Sequence, residues 1–182
     1  GSSDHLVSEA FYFTDPEGNG IELYVDRPRE TWGHVDGQIR MDTIYLDPNA
    51  YLSTHLDEAV LSAVERQSGG VGHVHLQVGD VGVARGFYVD ALGLEVKVDQ
   101  TFGDNRWLEV GASEGAALVL HKPFPGTSAG GGQGTLFASD DLDADVARLQ
   151  SAGVVVDGPT EMPWGRQAVF ADPDGNGYVL QG

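Results

Sequence analysis

The chain has 182 residues, with 10 Lys and Arg against 28 Asp and Glu, which gives a formal net charge of −18 with His neutral. Such an acidic surface repels nucleic acid and anionic membrane, and suits either cationic ligands or plain solubility. The absence of cysteine excludes disulfides and thiolate chemistry, and no apolar run approaches the ~20 residues of a membrane span. With no secretory signal visible, a cytoplasmic location is expected.

Residues 10–26, AFYFTDPEGNGIELYVD, read as two strands around a tight turn. Asp15-Pro16 starts the turn, and Gly18-Asn19-Gly20 provides residues tolerant of positive φ. The same unit returns as AVFADPDGNGYVLQ near the C-terminus. Asp15 maps to Asp172 (172 − 15 = 157) and Gly20 to Gly177 (177 − 20 = 157), so the hairpin is an internal repeat. Residues 27–70 read as a connector without sustained period until Ser53 or Thr54. There the run HLDEAVLSAVERQ places Leu56, Ala59, Val60 and Ala63 on one face of a single short amphipathic helix.

Residues 72–96, GHVHLQVGDVGVARGFYVDALGLEV, are the stretch around which the rest of the chain is organised. His73, His75 and Gln77 alternate with apolar residues, which predicts a strand with the two imidazoles on one face. Asp80 ends the strand and caps a helix whose apolar stripe is Val83, Ala84, Phe87, Ala91 and Leu92. Gly93 is placed to close that helix, and Leu94, Val96 and Val98 begin a returning strand. Further strands are predicted at 106–110 and 117–121, and GTSAGGGQG at 126–134 reads as a flexible linker. Then come a strand at 135–138, a helix capped by Asp140-Asp141 and ended by Gly153, a strand at 154–156, and the repeated hairpin.

The motifs H-x-x-L-x-V-x-D (His73 to Asp80) and A-R-x-F-Y-x-x-x-L-G-L-E-V (Ala84 to Val96) resemble the opening of a module in the glyoxalase/bleomycin-resistance/extradiol-dioxygenase superfamily. The resemblance implies an α+β fold of paired βαβββ modules forming a cupped, mostly antiparallel sheet, the vicinal oxygen chelate fold. On that frame residues 71–182 hold two modules, a complete domain. Residues 1–70 hold the terminal hairpin of a partial module, a connector and a helix.

Metal-using members of this superfamily take a His early in the first strand and an acid in the last strand of each module. By resemblance, His73 fills the first position, but Val119 and Val179 stand where acids are expected, and Gln133 or Gly134 where the second His belongs. The expectation for 71–182 is therefore a metal-independent, small-ligand-binding protein without a cofactor. The ligand is expected to be cationic or planar and aromatic, with candidate contacts His73, His75, Trp107, His121, Phe124, Trp164 and Arg166. His73 and His75 equally suit a ligand pair or hydrogen-bonded rim residues. Trp164 suits a ligand platform or a strand brace, and Arg166 a carboxylate site or a surface salt bridge.

D-H-x-V-S-E-x-x-Y and D-P-E-G-N-G-I-E-L-Y-x-D-R-P, from Asp4 to Pro28, resemble the end of the catalytic domain in catechol-type extradiol dioxygenases. That resemblance implies an alternative activity, Fe(II)-dependent ring cleavage. Glu22 would be the carboxylate ligand, Tyr12 a hydrogen-bond donor and His5 an acid–base or orienting residue, with His73 the other metal candidate. A third alternative is an assembly module, because a lone hairpin seeks partners for its edges. A homodimer is expected, with exchange of the N-terminal hairpin as one way to build it.

Overall fold

In a computed structural model, residues 1–63 and 69–182 are described. The chain divides into two units, Gly1–Gly69 and Gly70–Gly182.

The first unit is built on an antiparallel sheet in the order β3-β2-β1-β6, from β1 (Ser2–Asp4), β2 (Ser8–Thr14), β3 (Gly20–Asp26) and β6 (Ile44–Tyr45). The repeated turn forms as its sequence implies. The Asp15 carboxylate accepts the amides of Glu17 and Asn19 and the Asn19 side chain, at 2.7–3.0 Å. Arg27 forks onto both oxygens of Asp4 (2.6 and 2.9 Å) and onto Glu9 (2.9 Å), tying the end of the hairpin to β1 and β2.

The connector holds more structure than its lack of period suggested. Asp36 and Gly37, both at positive φ, turn β4 (His34–Val35) into β5 (Gln38–Ile39). Strands of two residues are too short to show a period. The expected single helix is two. Asp47 caps α1 (Pro48–His55), Leu56 is extended, and Asp57 accepts the Val60 amide at 2.8 Å to start α2 (Glu58–Ala63). A second capping aspartate wins over continuation of the helix, since its side chain satisfies amides that otherwise lack partners. The part of the expected helix at 64–67 lies outside the described residues.

The second unit repeats one plan twice. The first copy runs β7 (His73–Gln77), α3 (Val81–Arg85) continuing into a π-helical turn (Gly86–Ala91), β8 (Glu95–Phe102), β9 (Asn105–Gly111) and β10 (Ala117–His121). The second runs β11 (Thr135–Ala138), α4 (Leu142–Ser151), β12 (Val156–Met162), β13 (Gly165–Ala171) and β14 (Gly177–Gln181). The sheets order as β7-β10-β9-β8 and β11-β14-β13-β12. In each, the first strand pairs parallel with the last and the other pairings are antiparallel. This is the α+β architecture of paired βαβββ modules.

Asp80 caps α3 through the Gly82 and Val83 amides, and Gly93 at φ 83 ends the helical segment. The buried stripe loses one expected residue, Val83, and gains two, Val81 and Tyr88. Val83 is 57% exposed, whereas Val81, Ala84, Phe87, Tyr88, Ala91 and Leu92 are buried. The π turn, in which the Leu92 amide reaches back to the Phe87 carbonyl at 2.9 Å, brings both Phe87 and Tyr88 inward. Leu76, Leu108, Val110, Leu118 and Leu120 of the first sheet share one core with Leu142, Val146 and Leu149 of α4 and Ala168, Phe170, Tyr178 and Leu180 of the repeated hairpin.

Through that core runs a hydroxyl chain. Tyr88 donates to Asp172 at 2.6 Å, and the Tyr178 hydroxyl lies 2.5 Å from that of Tyr88. Burial is the main reason both phenols are hard to ionise, with Tyr178 pushed up to about 12. The glycine-rich segment 126–134 is pinned rather than free. Gly130 donates to the Gln77 carbonyl at 3.1 Å, Gly132 donates to the Asn176 side chain at 2.9 Å, and the Gly132 carbonyl accepts the Gly177 amide at 2.8 Å. A Cβ at Gly130 would lie 2.1 Å from the Asp174 carbonyl oxygen, so glycine here permits close backbone approach as well as a positive φ of 80°.

Candidate functional site

Alternation along the strands puts the apolar residues of the first module's sheet into the core and a polar, aromatic set on the other face. Cross-strand register arranges that set in rows. Gln77 is level with His121, Trp107 with Gln100, and the Trp107 and His121 rings lie near-parallel, at 13° with centroids 6.4 Å apart. The row is thus Gln77–His121–Trp107–Gln100. One pleat along, His75, Val119, Glu109 and Val98 form a second row. Beyond it stands His73, level with Ala117.

Five rings meet on this face. His75 is edge-on to Trp107 (5.2 Å) and to His121 (5.3 Å), His73 is edge-on to Trp107 (6.2 Å), and Phe124 lies against His121 (4.6 Å). His73, His75, Trp107, His121 and Phe124, five of the seven contacts proposed from sequence, therefore lie together. Trp164 and Arg166 belong to the second module. Trp164 is 60% exposed in the β12–β13 turn, and its carbonyl accepts the Gln181 side chain at 3.3 Å. Arg166 makes two bonds of 2.9 Å to Asp143 at the start of α4 and a 3.3 Å ion pair with Glu161, the surface salt bridge among its two readings.

His121 is the most constrained of the set. It is 7% exposed, its Nδ1 lies 2.8 Å from the Lys122 carbonyl, and its Nε2 is buried without a partner among the described residues. A carbonyl can only accept, so Nδ1 carries the proton and a neutral ring presents a bare lone pair at Nε2. Burial holds its pKa below the ordinary histidine value; the Lys122 carbonyl opposes this and His75 adds to it. Gln100 carries a second buried oxygen, Oε1, that likewise has no partner among the described residues. The sequence singled out His121 but not Gln100, whose signal is visible only once the register places it beside Trp107.

The Nε2 atoms of His73 and His75 are 3.1 Å apart. One can donate to the other, and the separation also fits two imidazoles on one metal, since bonds of about 2.0–2.1 Å at tetrahedral or octahedral angles separate the nitrogens by about 2.9–3.4 Å. In the first unit, Glu22 accepts the Tyr12 hydroxyl at 2.9 Å, His5 Nε2 lies 2.6 Å from that hydroxyl, and His5 Nδ1 lies 3.0 Å from the Asp42 carbonyl. The sequence-predicted His5, Tyr12 and Glu22 are thus one hydrogen-bonded relay. Tyr12 is held as the neutral phenol, chiefly by burial and then by the Glu22 charge. Glu22 and His73 belong to different units. A groove of about 640 Å³ opens on the helical side of the second unit, lined by Val83, Phe87, Asp90, Val155 and Pro173 among others and by none of the sequence-predicted site residues.

Residues 70–180 match the model of the Glyoxalase/Bleomycin resistance protein/Dioxygenase superfamily. The chain belongs to that superfamily. Among solved structures, TnmS3, an antibiotic binding protein from Streptomyces sp. CB03234, is 43% identical, with a TM-score of 0.59 over 63% of this chain and 95% of that one. A catechol-2,3-dioxygenase of Bacillus subtilis (strain 168) is 43% identical over 97 residues, 53% of this chain and 33% of that protein. The anthracycline biosynthesis protein DauV of Streptomyces sp. (strain C5) is 30% identical over 147 residues, 75% of this chain and 50% of that protein. The chain thus spans a third to a half of the length of these two relatives. No helix among the described residues is long and apolar enough to cross a membrane.

Proposed function

We propose that the second unit binds a small planar aromatic molecule, without a metal, on the sheet face that carries Trp107. The observation that carries this reading is the convergence of His73, His75, Trp107, His121 and Phe124 rings on one face. Rings fixed in this way offer large apolar contact at little entropic cost, with imidazole nitrogens to orient a ligand. Likeness to an antibiotic binding protein over nearly all of that protein's length supports the same class of activity. The acidic surface adds attraction for a ligand that also carries positive charge. The test is equilibrium dialysis of an anthracycline-class compound against protein stripped with EDTA. Retained binding, weakened by roughly 1–3 kcal/mol in Trp107→Ala, is the expected result. Trp164→Ala is the comparison, and binding that survives Trp107→Ala unchanged refutes the assignment.

A second reading is Fe(II)-dependent ring cleavage, favoured by the 3.1 Å His73–His75 pair, the His5–Tyr12–Glu22 relay and the likeness to a catechol-2,3-dioxygenase. Imidazole and carboxylate are the donors that non-haem Fe(II) takes, and the metal would supply oxygen activation. Here His73 and His75 would hold the ion. Elemental analysis of protein purified without added metal decides between the two. Near-stoichiometric iron that disappears in His73→Ala establishes the second reading, and metal-free protein that binds ligand establishes the first.

A further inference from the structure

We infer that the ligand of this face is a planar phenol whose hydroxyl groups donate to His121 Nε2 and Gln100 Oε1 on either side of Trp107. The inference rests on the small-ligand reading above and names the chemistry that reading leaves open. Both atoms are buried without partners among the described residues, on residues only 7% and 9% exposed. Both are acceptors: the Lys122 carbonyl takes the only proton of a neutral His121, at Nδ1, and a carboxamide oxygen has none. A buried acceptor without a donor is costly, and such atoms call for an explanation, an absent partner foremost.

Their placement is not scattered. Gln100 is the cross-strand partner of Trp107 on β8, and His121 lies alongside Trp107 on β10. Two strand spacings, about 9–10 Å, separate their backbones, with the indole between. A flat ring system lying on Trp107 and carrying hydroxyls at both ends therefore meets an acceptor at each end. Phenols suit this better than alcohols, because their rings stack on indole and their acidic protons favour a neutral imidazole. Phe124, 57% exposed and 4.6 Å from the His121 ring, borders the His121 end of that surface.

The probes are 2,6-dihydroxynaphthalene and its dimethyl ether, which share the ring system and differ in donors. Equilibrium dialysis against the full chain is expected to give at least tenfold tighter binding of the diol. The volume-conserving His121→Phe and Gln100→Met variants are each expected to narrow the gap between diol and diether, and the double variant to close it. The Nε2 resonance in ¹⁵N spectra of the His121 side chain is expected to shift with the diol and not the diether, a change that a purely structural histidine does not show. Equal binding of diol and diether overturns the inference and leaves the small-ligand reading standing. Binding of neither probe removes both.

Discussion

Replacing Tyr88 by Phe removes one oxygen from the middle of a three-member chain and probes the core that joins the two modules. The Tyr88 hydroxyl donates to Asp172 at 2.6 Å, so the Tyr178 hydroxyl, 2.5 Å away, must be the donor to Tyr88. Asp172 keeps the amides of Asp174 and Asn176 and the Asn176 side chain, at 2.7–3.0 Å. Two costs remain. A hydrogen bond to a charged group contributes about 1.5–3 kcal/mol, and stranding the buried Tyr178 hydroxyl costs about 1–3 kcal/mol, less whatever relaxation recovers. A net loss of about 2–4 kcal/mol is the expectation. Tyr178→Phe leaves Tyr88 bonded to Asp172 and should cost only about 0.5–1.5 kcal/mol.

The decisive measurement is the double variant. With both hydroxyls gone nothing is stranded, so the pair should cost less than the sum of the single changes. Urea unfolding followed by tryptophan fluorescence in a Trp32→Phe background reports the second unit, because Trp107 and Trp164 are then the remaining indoles of the three. A Tyr88→Phe loss below about 0.5 kcal/mol, or strict additivity in the double variant, would show that the short oxygen contacts carry little energy.

The same geometry has other consequences. Asp172→Ala strands the Asn176 side chain, two amides and the Tyr88 hydroxyl, and should cost more than about 3 kcal/mol in urea titration. Asp15→Ala removes the matching turn bonds at the surface of the first unit and should lower its unfolding midpoint far less; equal losses refute this reasoning. The folded-state pKa of His121 is depressed, so the unfolded chain binds its proton first and stability falls as pH drops below about 6.5. The depressed carboxyls of Asp4, Asp99 and Asp143 lose their contribution only at lower pH, near and below the ordinary aspartate value of 3.8. His121→Phe should therefore flatten the thermal midpoint between pH 6.5 and 5; an unchanged slope argues against a neutral His121. Phe13, Ile21, Leu23 and Val25 are 44–64% exposed along the hairpin, whose outer strand β3 ends its sheet. Sedimentation at high micromolar concentration should show a homodimer that Leu23→Lys weakens, and a strict monomer refutes it.

Much of the second unit was legible because each signal was local. Asp80 and Asp141 cap helices, Gly93 and Gly153 end them at φ 83, and His73–Gln77 alternates as a strand. What escaped depends on register or on competition between local signals. Tyr88 is buried because a π turn adds a residue to the helical period. The 53–67 helix breaks because Asp57 is a better cap than an interior residue. Gln100 acquires meaning only beside Trp107, which no spacing within one strand reveals. Val155 and Val154 read as strand, yet β12 begins at Val156 and Val155 is 88% exposed.

The repeated hairpin separates what a local sequence encodes from what its surroundings add. Tyr12–Glu22, Phe11–Leu23 and Phe13–Ile21 pair across the first copy as Val169–Val179, Ala168–Leu180 and Phe170–Tyr178 pair across the second. In both copies the turn aspartate accepts the amide and the side chain of the asparagine four residues on. Turn chemistry and register are therefore properties of the segment. Burial is not. Phe170, Tyr178 and Leu180 are at most 4% exposed, while Phe13, Ile21 and Leu23 at the matching positions are 44–60% exposed. The second copy has a parallel strand along β14, a helix against β13 and the Tyr88 hydroxyl on its turn. A sequence so similar can thus be a core element in one unit and an exposed face in the other. The residues that decide between them, Tyr88 and those of β11 and α4, lie outside the repeat.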